Sequence, residues 1–212
     1  MNLQDTLNNK EILKNKKNIT ILTKEIVDDF FNKNPYANTF IIPDSVTEID
    51  DWAFYNCENL KEITIPDSVT KIGNGAFDGC SNLTEINIPD SVTKIGNGAF
   101  DGCLNLKEIT IPDSVTEIGN CTFENCTNLT KINIPNSVTE IGEYAFYGCL
   151  NLKEIIFQNP SSLNQMKLGE NAFSGCDLEN INITFLDNEL DKDDMTNSIS
   201  YTKKDENEKE YR

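Results

Sequence analysis

Cysteine has the most reactive side chain in this sequence, and its spacing is regular. Six cysteines occupy the same place in a repeated unit: Cys57, Cys80, Cys103, Cys126, Cys149 and Cys176. A zinc site would need several thiolates to converge on one point, usually from a C-x-x-C pair, and the sequence contains no such pair. Cysteines in successive stacked units would instead lie in a line, about 4.8 Å apart. We therefore predict that they pack as small apolar side chains, with disulfides between units as the alternative.

The seventh cysteine differs from the others. Cys121 stands where two other units have glycine, at Gly75 and Gly98. A residue that replaces glycine is less constrained to a packed core, so we predict that Cys121 is partly exposed and is the thiol most open to oxidation.

Carboxylates are the other residues that could do chemistry, because the sequence has no histidine. Without histidine the commonest general base and the commonest metal ligand are missing. Asp67, Asp90 and Asp113 recur directly after proline and could attract Ca²⁺, although a turn role explains a repeated Pro-Asp pair more simply. No glycine-rich phosphate loop and no G-x-S-x-G motif is present. The sequence predicts a protein that is not an enzyme and that binds no cofactor or metal.

The elements that must position these residues repeat every 23 residues. Proline recurs at this interval at Pro43, Pro66, Pro89, Pro112 and Pro135. Phenylalanine does so at Phe54, Phe77, Phe100, Phe123 and Phe146. A constant period of this length is the signature of a solenoid, in which each unit buries its apolar side against its neighbours.

Each unit contains the string L-x-x-I-x-I-P, in which alternating β-branched residues predict a short strand with one buried face. Seven such strands, beginning near Ala37 and then near each repeated leucine, would form one parallel sheet. The returning half of each unit predicts a brief second strand around Val69 and Ile72. Gly73 and its copies Gly96, Gly119 and Gly142 are predicted where the backbone bends sharply or takes a positive φ, and the phenylalanines are predicted to stack as an aromatic spine.

The full string L-x-x-I-x-I-P-x-S-V-x-x-I-G-x-x-A-F-x-x-C closely resembles the BspA-type leucine-rich repeat, over about residues 37 to 183. The resemblance implies a β-rich, right-handed leucine-rich-repeat solenoid with a parallel sheet on its concave side. It also implies protein–protein contact, often adhesion at cell surfaces.

We divide the chain into three parts. Residues 1–36 are predicted to form an N-terminal cap that is partly helical, because residues 19–31 are apolar with helix-like spacing. Residues 37–186 are the solenoid, with five full units, a preceding strand and a degenerate sixth unit. Residues 187–212 are polar and charged, and we predict a flexible acidic tail.

Charge limits the classes of partner. The formal net charge is −17, from 35 acidic and 18 basic residues. Such a surface repels phosphate backbones and anionic membranes, so we predict that the chain binds no nucleic acid and inserts into no membrane. No stretch is long and apolar enough to span a membrane, and residues 1–17 lack the apolar core of a secretory signal. We predict a cytoplasmic protein, with a cell-surface or secreted protein as the alternative.

The concave sheet is the candidate binding surface. Its outward-facing positions supply the candidate partner-binding residues Glu62, Thr64, Glu85, Asn87, Glu108, Thr110, Lys131 and Asn133. We predict a non-catalytic protein-interaction module of adhesion or scaffold type, which binds a protein or peptide with basic patches on this sheet. The alternatives are a structural solenoid that self-assembles through an exposed terminal strand, and a regulator that acts through its tail or N-terminal cap.

Overall fold

Ile-x-Ile segments form strands in each unit because isoleucine side chains alternate between a buried and an exposed face. The computed structural model describes residues 19–158 and 166–185. The long strands are β2 (Thr39–Ile41), β4 (Glu62–Thr64), β6 (Glu85–Asn87), β8 (Glu108–Thr110), β10 (Lys131–Ile134), β12 (Glu154–Phe157) and β14 (Asn182–Phe185). They pair in parallel as one seven-stranded sheet, which we call the long sheet. This confirms the predicted parallel sheet and the predicted solenoid.

The returning half of each unit forms a two-residue strand, as the sequence predicts. These short strands are β3 (Glu48–Ile49), β5 (Lys71–Ile72), β7 (Lys94–Ile95), β9 (Glu117–Ile118), β11 (Glu140–Ile141) and β13 (Lys167–Leu168), with β1 (Ile21–Leu22) before them. They form two parallel sheets in the described residues, one of four strands from β1 to β7 and one of three strands from β9 to β13.

One circuit of the chain, from a long strand through a short strand and a turn to the next long strand, is called a coil here. Coils 1 to 6 begin at Ala37, Leu60, Leu83, Leu106, Leu129 and Leu152, and β14 follows coil 6. Parallel pairing in register places equivalent residues of successive coils side by side.

The core is a set of columns that run along the solenoid axis. Phe54, Phe77, Phe100, Phe123, Phe146 and Phe173 are fully buried. Their ring centroids lie 5.0 to 5.5 Å apart with nearly parallel planes. The predicted aromatic spine is therefore confirmed. Burial of each ring contributes roughly 2 to 3 kcal/mol by area.

The spine ends at a helix. Helix α1 (Lys24–Lys33) places Phe30 edge-on against Phe40 of β2, and Phe40 lies edge-on against Phe54. The helix thus covers the apolar face that the first coil would otherwise expose. It is too short and too polar to cross a membrane, and it is the only helix in the described residues.

Glycine at the Gly73 position does not have the positive φ that we considered. Positive φ occurs instead two residues after this position, at Gly75 in coil 2 and at Gly98 in coil 3. It also occurs at Gly79, farther along coil 2. At Gly96 an added Cβ would lie 2.5 Å from the backbone nitrogen of Asn74 in the preceding coil. Glycine is required there because two backbones approach closely, a requirement set by the stacking of coils.

The predicted division into domains stays a prediction. The proposed tail, residues 187–212, lies outside the described residues, as do residues 1–18 of the proposed cap.

Candidate functional site

The long sheet carries its outward side chains in two columns, one on each side of the buried isoleucines. Register pairs Glu62 with Glu85 and Thr64 with Asn87. The same columns continue through Glu108 beside Lys131 and Thr110 beside Asn133. The structure thus brings all eight sequence-predicted residues onto one face.

Exposure divides these eight residues. Glu62, Glu85, Glu108, Thr64, Asn87 and Thr110 are exposed, whereas Lys131 and Asn133 are half-buried. Lys131 Nζ lies 3.1 Å from Glu154 Oε2 of the next coil. This is the only ion pair on the long sheet in the described residues, so the three glutamates before it have no cationic partner there.

A cleft of about 380 Å³ opens in the long sheet between β6 and β8. Its lining includes Glu85 and Asn87 on one side and Glu108 and Thr110 on the other. Four of the predicted binding residues therefore surround a recess in the sheet, which the sequence does not reveal.

The cysteine row lies in the core and not on a surface. Cys80, Cys103, Cys126, Cys149 and Cys176 are buried. Each Sγ contacts the carbonyl oxygen of the spine phenylalanine in the preceding coil, from Cys80 to Phe54 at 3.2 Å through Cys176 to Phe146 at 3.3 Å. The predicted packing role is confirmed, and the thiols also act as weak hydrogen-bond donors between coils.

Burial raises the pKa of these thiols, because the charged thiolate loses its hydration. The pKa of Cys176 rises to about 12 for this reason. Cys121 is half-buried as predicted, but desolvation, a hydrogen bond with Glu124 and the surrounding carboxylates raise its pKa to about 12. Since the thiolate is the reactive form, Cys121 is accessible and yet weakly nucleophilic.

Cys57 departs from the rest of its row. It is half-buried and lines a cleft of about 630 Å³ between α1 and the first coil, together with Lys24, Phe31 and Tyr55. Its burial is incomplete because a helix, and not another coil, precedes it. Desolvation raises its pKa to about 12.

The turns carry a group of carboxylates that the sequence analysis missed. Asp78, Asp101 and Glu124 occupy equivalent places in successive coils and are half-buried. Desolvation, with the charges of Glu124 and Asp78, raises the pKa of Asp101 to about 6. Desolvation and Glu124 also raise the pKa of Asp78. The signal is present in the sequence, but Tyr55 and Tyr147 fill the same place in flanking coils and interrupt the acidic row.

Aromatic side chains flank this carboxylate group at both ends. Trp52 packs edge-on against Tyr55 at 5.4 Å, and Tyr144 against Tyr147 at 5.7 Å. These pairs form a second, smaller candidate contact area away from the long sheet.

The Pro-Asp carboxylates Asp67, Asp90 and Asp113 are exposed in turns. Among residues 19–158 and 166–185, no three carboxylate or thiol side chains are placed to hold a metal ion together.

Parallel coils with a buried leucine and isoleucine ladder define the class of leucine-rich-repeat proteins. Within that class, the chain belongs to the family of the BspA type leucine rich repeat region, whose model matches residues 24–100 and 70–201 in six copies. Leucine-rich repeats are in general a non-catalytic fold for protein interaction. No curated protein sequence matches the chain.

Solved bacterial structures share the fold. A leucine rich cell surface protein from Faecalibacterium prausnitzii A2-165 is 38% identical to this chain, with a TM-score of 0.60. The match covers 62% of this chain and 35% of the F. prausnitzii chain. A leucine-rich repeat protein from Bacteroides ovatus is 33% identical, with a TM-score of 0.53 over 66% and 42%. The T. pallidum leucine rich repeat protein is 29% identical, with a TM-score of 0.53 over 66% and 77%. The chain thus spans less than half the length of the first two.

These comparisons give the predicted cytoplasmic location no support. The F. prausnitzii protein is described as a cell surface protein, which agrees with the alternative location that we considered.

Proposed function

We propose that this chain is a non-catalytic interaction module of adhesion or scaffold type, which binds a protein or peptide with basic patches on the long, concave sheet. The observation that carries the proposal is the column of Glu62, Glu85 and Glu108, three exposed carboxylates in adjacent strands. Neighbouring like charges on a sheet are unfavourable, and lysine or arginine side chains of a partner would relieve their repulsion.

Surrounding residues suit such a partner. Thr64, Asn87 and Thr110 form the second column and offer hydrogen-bond donors and acceptors beside the carboxylates. Strands β4, β10 and β12 are each paired along their length on both sides, so little conformational entropy is lost within these parts of the sheet when a partner binds.

We propose that the module acts at the cell surface or after secretion. Support comes from the F. prausnitzii protein, which is 38% identical and described as a cell surface protein. Protease treatment of intact source cells tests this location. Digestion of the chain before lysis supports it, and full protection until lysis contradicts it.

Charge on the sheet is tested with a matched pair of triple variants. Glu62, Glu85 and Glu108 are changed to Gln in one, and the exposed turn residues Asp67, Asp90 and Asp113 are changed to Asn in the other. Both variants lose the same charge at the same spacing. The probe is a synthetic extended peptide with lysine at alternate positions, measured by calorimetry.

We expect the Glu variant to bind the peptide about ten-fold or more weakly and the Asp variant to bind it like the original chain. Binding should also weaken as salt rises, because salt screens exposed charges. Equal losses in the two variants would show that only net charge matters and would contradict a site on the long sheet.

Self-association is the second candidate, and the edge of the long sheet favours it. Among the strands of residues 19–158 and 166–185, β14 pairs only with β12, and Asn182 N–H donates inward to Lys153 O at 2.7 Å. By the alternation of a strand, the N–H of Ile183 points outward, where a strand of a second copy can pair with it.

Light scattering across protein concentrations tests this candidate. Ile183→Pro removes the outward N–H, so we expect any concentration-dependent dimer to disappear in this variant. A mass that stays monomeric at all concentrations in the original chain excludes the candidate.

A further inference from the structure

The solenoid is not uniform along its length, and the irregularity lies between coil 3 and coil 4. In the long sheet, β6 and β8 share only the pair Glu85 and Glu108. The flanking strand pairs, β4 with β6 and β8 with β10, share three residue pairs each. Among the short strands, β7 and β9 are not paired, and the short strands therefore form two separate sheets.

Backbone hydrogen bonds show the same interruption. Thr93 and Thr139 each donate their N–H to the equivalent threonine of the preceding coil at 2.9 Å. Gly96 donates to Ile72 at 2.9 Å and Gly142 to Ile118 at 2.7 Å. The equivalent amides of coil 4 belong to Lys107, Thr116 and Gly119. In the described part of the chain, none of these three amides donates to a backbone carbonyl of coil 3.

The space beside the glycines also shows a wider separation of the backbones of coils 3 and 4. At Gly96 and Gly142 an added Cβ would meet backbone nitrogen of the preceding coil at 2.5 and 2.6 Å. At Gly119 it would meet only the side chain of Asn97 in coil 3 within 3.4 Å. The backbone of coil 4 is therefore farther from its neighbour.

An ion pair is also lost at this place. The short strands carry a column of charges in which Lys71 pairs with Glu48 and Lys167 pairs with Glu140. Lys94 and Glu117 are the equivalent neighbours across coils 3 and 4, and they line a cleft of about 350 Å³ without forming an ion pair in the described structure.

The turns of the same two coils stay joined. Gly98 donates to Asn120 O at 2.8 Å, and Phe100 donates to Thr122 O at 2.9 Å. On the strand sides the junction keeps the Glu85–Glu108 pair and two hydrogen bonds that involve side chains, from Ser114 Oγ to Val92 O and from Asn120 N–H to Asn97 Oδ1. The turn side keeps its backbone hydrogen bonds, and this asymmetry is the geometry of a hinge whose axis lies along the turns.

Thr122 distinguishes the turn of coil 4 from the turns of the other coils. Every other coil has alanine at its place: Ala53, Ala76, Ala99, Ala145 and Ala172. Thr122 is 1% exposed, and its hydroxyl donates to Gly119 O at 2.9 Å. Extra atoms in a packed core shift side chains and backbone, and this threonine adds two heavy atoms. Because the turn keeps its hydrogen bond from Phe100 N–H to Thr122 O, we expect the shift in the strands of the same coil.

We propose that the junction of coils 3 and 4 is a hinge, that Thr122 holds it partly open, and that the two halves of the solenoid rotate about the intact turns. The hinge leaves Glu62, Thr64, Glu85 and Asn87 on one half and Glu108, Thr110, Lys131 and Asn133 on the other. Its effect on binding rests on the proposed function, whereas the motion itself does not.

Amide hydrogen exchange followed by NMR tests the hinge without any ligand, because the near-identical coils supply internal controls. We expect the amides of Lys107, Thr116 and Gly119 to exchange about ten-fold or more faster than their equivalents in coils 3 and 5. Those equivalents are Thr84, Thr93, Gly96, Thr130, Thr139 and Gly142. Equal exchange in all three coils would overturn the proposal.

Two variants test the role of Thr122. In Thr122→Ala the three fast amides should slow to the rates of their equivalents. In Ala99→Thr the fast exchange should appear at Thr84, Thr93 and Gly96, one coil earlier. If Thr122→Ala leaves the fast amides unchanged, Thr122 does not hold the junction open. Peptide binding to the unaltered chain is measured separately, so a rigid junction and an absent binding site are distinguishable.

Discussion

Two kinds of glycine serve the coil for different reasons. Gly96 lies against the backbone of the preceding coil, whereas Gly98 has a φ of +62° and nothing within 4 Å of an added Cβ. The place of Gly98 is filled by Trp52, Cys121, Tyr144 and Asn171 in other coils, all with positive φ. The place of Gly96 therefore depends on space and that of Gly98 on backbone conformation.

This difference predicts unequal effects of alanine at the two places. Gly98→Ala should lower the free energy of unfolding by about 1 kcal/mol, the cost of a left-handed residue with a side chain. Gly96→Ala should cost about 3 kcal/mol or more, because backbone atoms cannot move aside easily. Urea titrations measure both values, and equal losses would contradict the assignment.

Asp101 predicts a dependence of stability on pH. Its pKa of about 6 in the folded chain exceeds its ordinary value of 3.8, so the folded state takes up a proton before the unfolded state does. Stability from this group should therefore rise as pH falls from 7 through 6 and should reach its full value below 4. The nearby charges that oppose ionisation are Asp78 and Glu124, while Asn125 donates to Asp101 at 3.4 Å.

Thermal unfolding of Asp101→Asn tests this dependence. The variant should show a smaller gain in melting temperature between pH 7 and pH 5 than the original chain. Asp113→Asn, which removes one exposed turn carboxylate, is the control. A pH dependence that Asp101→Asn leaves unchanged would rule out this residue as its source.

Columns between coils are the elements that hold the solenoid together. Asn74 N–H donates to Asp51 Oδ1 at 2.8 Å, and Asn97 and Asn120 continue this ladder by donating to the asparagine before them at 2.9 and 3.0 Å. The thiol column and the aromatic spine run beside it. Each column satisfies or buries one group per coil, so stability is built from contacts between neighbours.

The thiol column predicts an order of chemical labelling. In the native chain at mildly alkaline pH, Cys121 should react first and Cys57 next, both more slowly than free cysteine because their pKa values are raised. The five buried cysteines should react only after urea unfolds the chain. Mass spectrometry identifies the labelled residues, and Cys121→Ser is the control for the first step. Rapid native labelling of Cys103 would contradict a closed core.

Repetition is what made much of the fold predictable from sequence. The alternation of isoleucine with polar residues around Ile63 and the recurrence of phenylalanine every 23 residues, as at Phe77, predict which side chains are buried. The same alternation places Glu62 and Glu85 on the outer face of the sheet. The distances between coils could not be predicted in this way. Gly96 and Gly98 are the same residue type in the sequence, and only the folded backbone shows that Gly96 is needed for space and Gly98 for its positive φ. The cleft beside Glu108 lies where β6 and β8 share a single residue pair, and a pattern of residue types does not express this.

The whole molecule behaves as a one-dimensional array. Each inner coil contacts the coil before it and the coil after it, and helix α1 covers the first coil. Such an array should tolerate the loss of a whole coil better than the loss of part of a coil, because a partial loss shifts equivalent residues out of register.

Deletion of one full period predicts a shorter but intact solenoid. Removal of residues 88–110 joins Asn87 to Ile111 and restores the same sequence pattern. Circular dichroism should keep its shape, and the melting temperature should fall by several degrees as stacking contacts are lost. Removal of residues 88–99 deletes about half of one period, which puts the following coils out of register, and should abolish cooperative unfolding. Equal behaviour of the two deletions would contradict stacking in register.

The single tryptophan gives the molecule a built-in optical probe at one end. Trp52 is 47% exposed, lies over Gly75 and packs against Tyr55 in the first coil. Its emission therefore reports the environment of the first coil, which helix α1 covers, while circular dichroism averages over all coils. Coincident denaturation curves from the two signals would mean that the array melts as one unit, and an earlier change in emission would mean that it frays from its helical end.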